Sequence, residues 1–171
     1  MVLGFKPIVF IEDVKGGGMG MYAASEKEVV AKGGTLDYDE ARAGKKLFVP
    51  QATALLAVRR PDHLENDGTV FTFDVGKDQY ALALWSFKKS AYTAACKTTL
   101  FYARSAGVLK VGGYPSWTWE VSTFLKDFKQ SGTSAWVPKF VPNERSTEAE
   151  LAFAKATLEV SNAAPGAAAA E

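Results

Sequence analysis

W-S-F-K-K-S-A-Y-T-A-A-C-K-T-T-L-F-Y-A-R-S-A-G (residues 85–107), V-L-K-V-G-G-Y-P-S-W-T-W-E-V-S-T-F-L-K-D-F-K (108–129) and A-W-V-P-K-F (135–140) decide how this chain reads. All four tryptophans lie here: Trp85, Trp117, Trp119 and Trp136. Eight cations accompany them, Lys88, Lys89, Lys97, Arg104, Lys110, Lys126, Lys129 and Lys139, against two acids, Glu120 and Asp127. The segment therefore carries +6. Flat faces interleaved with positive charge suit a single nucleic-acid strand, whose bases stack and whose phosphates need cations.

The rest of the chain hides this asymmetry. Net charge over all 171 residues is only +1. Residues 1–86 hold ten bases and twelve acids, and residues 141–171 two bases and five acids. A nearly neutral protein can thus present a locally basic surface. Cys96 is the sole cysteine, so no intrachain disulfide is expected, and a reducing compartment suits the chain. The sequence shows no signal-peptide pattern and no apolar run of membrane-spanning length. We expect a cytoplasmic protein, a monomer or homodimer, with no membrane partner.

Working outward, residues 79–85 form a strand ahead of a helix capped at Ser86 or Ser90. That helix is expected to run to about Ala106, with Phe87, Ala91, Ala94, Thr98, Phe101 and Ser105 on one face. Residues 69–75 alternate and, with a turn at 76–78, complete a hairpin with 79–85. Residues 46–59 form a long strand and residues 3–12 a first strand, at an edge because of Pro7. A short helix capped by Ser25 is expected before residue 32, and 33–46 reads as a polar connection. After the helix come strands at 108–111, 117–128 and 135–141. On 117–128, Trp117, Trp119, Val121, Thr123 and Leu125 share one face. Phe124, Lys126 and Phe128 share the other, and Trp119 and Trp136 are expected inside. T-E-A-E at 147–150 is a capping box that opens a C-terminal helix. Residues 163–171 are an Ala-rich tail with little to bury. The expectation is one domain over 1–162: mainly β with α, an OB-like Greek-key five-stranded barrel with a central helix and a C-terminal helix.

Several chemistries find no support. K-G-G-G-M-G at 15–20 lacks the G-K-[ST] ending of a phosphate loop and reads as a turn, or as a close backbone approach to a ligand. His63, beside Asp62 and Glu65, has no second His or thiol at ligand spacing. Asp37 and Asp39 read as a hydrophilic loop. The chain has no H-E-x-x-H, G-x-S-x-G or Walker A pattern, so no catalytic residue, metal or cofactor is expected.

From Tyr80 onward the chain resembles the OB-fold single-stranded DNA-binding proteins encoded by tailed phages. The resemblance rests on Y-A-L-A-L-W-S-F-K-K-S-A-Y, the G-G-Y-P turn, W-E-V-S-T-F, W-V-P-K-F and the acidic helix S-T-E-A-E-L-A-F-A-K. It covers roughly the last half of the chain. The family's acidic C-terminal tip is reduced here to Glu171. The resemblance implies a sequence-tolerant, non-catalytic protein that protects single-stranded DNA during phage replication or recombination. It implies replication or recombination proteins as partners and the host cytoplasm as location. The interface residues expected are Arg59, Arg60, Lys88, Lys89, Tyr92, Lys97, Tyr114, Trp117, Phe124, Lys126 and Lys139. The alternative is a non-enzymatic phage structural or host-interaction protein.

Overall fold

The computed structural model describes residues 1–16, 18–65, 68–97, 113–128 and 132–163, without the side chains of 95–97, 162 and 163. Its spine is β5, Lys46–Arg59. One edge of β5 carries β1 (Val2–Phe5) and β2 (Val9–Glu12), both antiparallel to it. The single first strand expected over residues 3–12 is therefore interrupted. Phe5 pairs with Ala54 and Val9 with Gln51, so both halves follow one edge, and the break falls at Pro7, which has no N–H to donate.

The glycine-rich stretch makes a close approach, but to the chain itself. A Cβ on Gly20 would lie 2.2 Å from the Glu12 carbonyl oxygen, so only glycine lets the chain return against β2. That return leads into β3, Tyr22–Ala23, which pairs with β2. Ser25 then caps α1, Glu26–Ala31, its hydroxyl accepting from the Glu28 N–H. The connection expected at 33–46 is more ordered than its polarity suggests. It contains β4, Gly34–Thr35, and α2, Tyr38–Arg42. Asp37 caps α2, accepting from the N–H groups of Asp39 and Glu40.

The other edge of β5 pairs along nine residues with β7, Asp78–Lys88. β6, Phe73–Val75, closes a tight hairpin with β7 through Gly76, whose φ is 63°. The strand expected over 69–75 is thus only its last three residues. β7 also runs three residues beyond the strand end expected at Trp85, past Ser86 but short of Ser90, and Phe87 is a strand residue paired with Ala52. Trp85 and Phe87 project to the same side, and burying the Phe87 ring outweighs the capping preference of Ser86. The chain turns the corner at Lys89, φ 49°, into α3, Lys89–Ala91, and a π-helical turn, Tyr92–Lys97. The remainder of the expected central helix and the strand expected at 108–111 lie outside the described residues.

A 3-10 turn, Tyr114–Ser116, leads into β8, Trp117–Phe128. β9, Thr133–Arg145, pairs with it antiparallel along almost its whole length. The C-terminal helix α4, Glu148–Ala163, opens with the expected capping box. The Glu150 N–H donates to Thr147 Oγ1 at 3.3 Å, and the Thr147 N–H donates to Glu150 Oε2 at 2.7 Å.

Alternate residues of β5 serve two cores. Ala52, Ala54 and Leu56 join Val2, Phe87, Trp119 and Phe140 between the large sheet and the β8–β9 ribbon. Ala57 joins Met1, Leu3, Val75, Tyr80 and Ala154, where α4 packs. A third cluster, Ala23, Val29 and Phe48, seats α1. The protein is thus mainly β, with largely antiparallel sheets and a C-terminal helix. Among the described residues the seven-stranded sheet and the β8–β9 ribbon share no strand pairing, and no barrel closes. No described helix is long and apolar enough to cross a membrane.

Candidate nucleic-acid interface

The register of β8 and β9 sorts the ribbon into two faces. On one, Ser122, Phe124, Lys126 and Phe128 lie across from Lys139, Val137, Ala135 and Thr133. Phe124 is 40 % exposed and sits opposite Val137, which is fully buried. The Lys126 ammonium lies 5.6 Å from the centre of the Phe128 ring. Residues two apart on a strand stand about 7 Å apart on the same side. The face therefore offers two phenyl rings flanked by two lysines, with Lys139 exposed. The expected residues Phe124, Lys126 and Lys139 come together here, and Phe128 belongs with them. Alternation within β8 pointed to that neighbour, while Lys139 needed the register across the turn.

Other expected residues lie elsewhere. Arg59 ends β5, with its guanidinium 3.8 Å from Asp78 Oδ1. Arg60 donates to the Leu64 carbonyl and holds the following turn. Lys88 pairs with Gln51, eight residues along β5 from Arg59, which is roughly 27 Å of strand. The two arginines and Lys88 do not form one patch. Lys89 forms an ion pair with Asp13 at 2.8 Å, tying the corner after β7 to the chain leaving β2. The side chain of Lys97 lies outside the described residues.

The turn and helix aromatics are packed as well. Tyr92, Tyr114 and Trp117 are half-buried against the core between sheet and ribbon. Tyr114 meets Phe5 edge-on at 5.2 Å, and its carbonyl accepts from Trp119 Nε1 at 3.3 Å. Arg145 lies over Trp117, 4.4 Å from the ring centre. Of the two tryptophans expected inside, Trp119 is buried but Trp136 is 69 % exposed. Trp136 pairs with Leu125, four pairs along the ribbon from the last buried aromatic, Phe140, and on the same face. The ribbon has left the large sheet by then.

A cleft of about 550 Å³ opens where the β5–β7 end meets the base of the ribbon. Arg59, Lys77 and Arg145 line it together with Asp78, Glu120 and Glu144. Charges of both signs alternate around it, so it is not a phosphate track. Its floor is a buried polar network. The Tyr80 hydroxyl donates to Glu150, which also accepts from the Thr147 N–H and hydroxyl, and the Met1 ammonium donates to the Ala57 carbonyl at 2.6 Å. Burial and the Glu150 carboxylate push the Tyr80 hydroxyl pKa up. Burial works against the Glu150 charge, yet the Tyr80 and Thr147 donors hold its pKa below the usual carboxylate value. Burial lowers the Met1 amino group from 8.0 to about 6, opposed by Glu150.

These shifts set a pH dependence. Between pH 6 and 8 the unfolded chain keeps an amino-terminal proton that the folded chain releases. Stability therefore rises with pH in that window, by about 2–3 kcal/mol. Glu150 adds a second loss when pH falls through its lowered folded value. Urea unfolding of His63→Gln protein, which lacks the single imidazole of the chain, is expected to show both steps. A flat profile from pH 8 to 6 would show that the amino group stays hydrated in the fold.

Among the described residues no group of three His, Cys, Asp or Glu side chains is arranged to hold a metal. No family model, curated protein or solved structure matches this chain.

Proposed function

We propose that this protein binds single-stranded DNA with little sequence preference, along the Phe124–Lys126–Phe128–Lys139 face of the β8–β9 ribbon. The observation that carries the reading is the exposed Phe124 ring and the half-buried Phe128 ring beside Lys126 and Lys139 on one face of the ribbon. A phenyl group exposed on a strand contributes little to folding. Beside a cation it suits an unpaired base and its phosphate. Lys88 is exposed at the end of β7, on the opposite side of that strand from Phe87. The OB-like framework and the kinship with phage single-stranded DNA-binding proteins belong to this proposal. The order of long strand, hairpin, helical turn, ribbon and terminal helix supports them. On this reading the protein shields DNA in the host cytoplasm during phage replication or recombination, without catalysis.

Anisotropy of labelled oligo-dT at two salt concentrations tests the proposal. Saturable binding is expected, tighter than to duplex of matched length, with log affinity falling against log salt by about 0.7 for each phosphate contact. Absence of salt-dependent binding would favour the alternative, a phage structural or host-interaction protein.

A further inference from the structure

The two phenyl rings on the lysine face of the ribbon are not equivalent. Phe124 is exposed, whereas Phe128 is half-buried. The Lys126 ammonium lies over the Phe128 ring, 5.6 Å from its centre, and among the described residues no ring holds Lys139. Lys126 is half-buried with its ring, while Lys139 is exposed.

A cation within about 6 Å of a ring centre is attracted by the ring quadrupole. A base stacking on the same face would have to displace that cation, so Phe128 is a poorer platform than Phe124. What the Phe128 ring does well is hold the ammonium. A lysine that moves without restraint loses side-chain entropy when it settles on a phosphate, and one already held loses less. A lysine ammonium has several N–H donors, so it can stay on the ring and still donate to a phosphate oxygen. The contact also has a direction. Phe128 stands two residues from Lys126 on the side away from Phe124, so it draws the charge along β8 towards the turn. Lys139, opposite Ser122, stands on the other side of Phe124. The two cations therefore bracket Phe124 along the length of the ribbon.

We infer that Phe128 is a positioning residue: it holds the Lys126 ammonium for a phosphate, and leaves Phe124 as the ring on this face that takes a base. The inference rests on the nucleic-acid reading above. The ligand it specifies is a single strand laid along the ribbon, with one base on Phe124 and a backbone phosphate at the lysine on either side.

Oligo-dT anisotropy at several salt concentrations tests it, with thermal melts to show that each variant folds. Phe128→Leu keeps apolar bulk but removes the ring. It is expected to weaken binding about two- to fivefold, as for an exposed cation–ring contact. The salt slope should fall by at most about 0.7, because one phosphate contact is at stake. Phe128→Tyr, which keeps the ring face, should restore wild-type binding. In a Lys126→Met background Phe128→Leu should have no further effect, and in a Lys139→Met background it should keep its full effect. Equal losses with and without Lys126 would overturn the inference, by making Phe128 a second stacking ring or a purely structural one. A Phe128→Leu protein that binds like wild type would also overturn it, as would a Phe128→Tyr protein that binds like Phe128→Leu. A wild type that fails to bind oligo-dT at all would remove the nucleic-acid reading itself, and this inference with it.

Discussion

Phe87→Ala is expected to destabilise the protein by about 3–5 kcal/mol, the cost of deleting a buried phenyl ring and leaving the space unfilled. Phe87 is 1 % exposed and sits where the two sheets meet. Its ring centre lies 5.1 Å from Trp85 in a stacked arrangement and 5.8 Å from Phe140 edge-on. Its removal therefore loses transfer free energy, two ring contacts and the filler between β7 and the ribbon. At about 2–4 °C per kcal/mol for a chain of this size, the melting temperature should fall by roughly 10 °C. Denaturant titration checks the effect. A lower midpoint at unchanged slope is expected, since the same surface is exposed on unfolding. Trp85→Ala, at a more exposed position of the same stack, should cost clearly less. A loss below about 1 kcal/mol for Phe87→Ala would mean that the ribbon does not rest on this ring.

Phe124→Ala is expected to lower oligo-dT affinity by about 1–3 kcal/mol, the range for losing one stacked base. Lys139→Glu should reduce the steepness of the salt dependence by about 0.7. Both positions are exposed and outside the buried clusters, so stability should change by no more than about 0.5 kcal/mol. Arg59→Glu and Arg60→Glu provide the contrast. Arg59 is engaged with Asp78, and Arg60 with the Leu64 carbonyl. Their reversal should leave the salt slope unchanged. Equal losses at Arg59 and Lys139 would move the DNA path from the ribbon to the mixed-charge cleft.

Much of the element order was legible because it rests on local signals. Residues 46–59, a run rich in apolar and β-branched side chains, and residues 117–128, which have no internal glycine or proline, both form strands with the expected bounds. Thr147 and Glu150 form the capping box that T-x-x-E describes. Errors gathered where a local preference met a tertiary demand. Ser86 favours a helix cap, yet the strand continues so that Phe87 can be buried. Asp37 looks like a loop residue in a polar segment, yet its carboxylate accepts from the Asp39 and Glu40 N–H groups and caps a helix.

The candidate site was legible only in part, for a related reason. The sequence by itself determined which residues share a face of β8, because strand periodicity is a property of the backbone. It also determined that cations and aromatics crowd into residues 85–140. Only the tertiary structure decided which of them remain accessible. Trp119 and Trp136 look alike in the chain, each at an alternating position of a strand. The first is buried because the base of the ribbon lies on the large sheet, and the second is exposed because its end does not. The same docking packs Tyr114 against Phe5 and leaves Phe124 exposed. Burial depends on where one sheet ends over another, and that boundary is set by contacts between residues far apart in sequence.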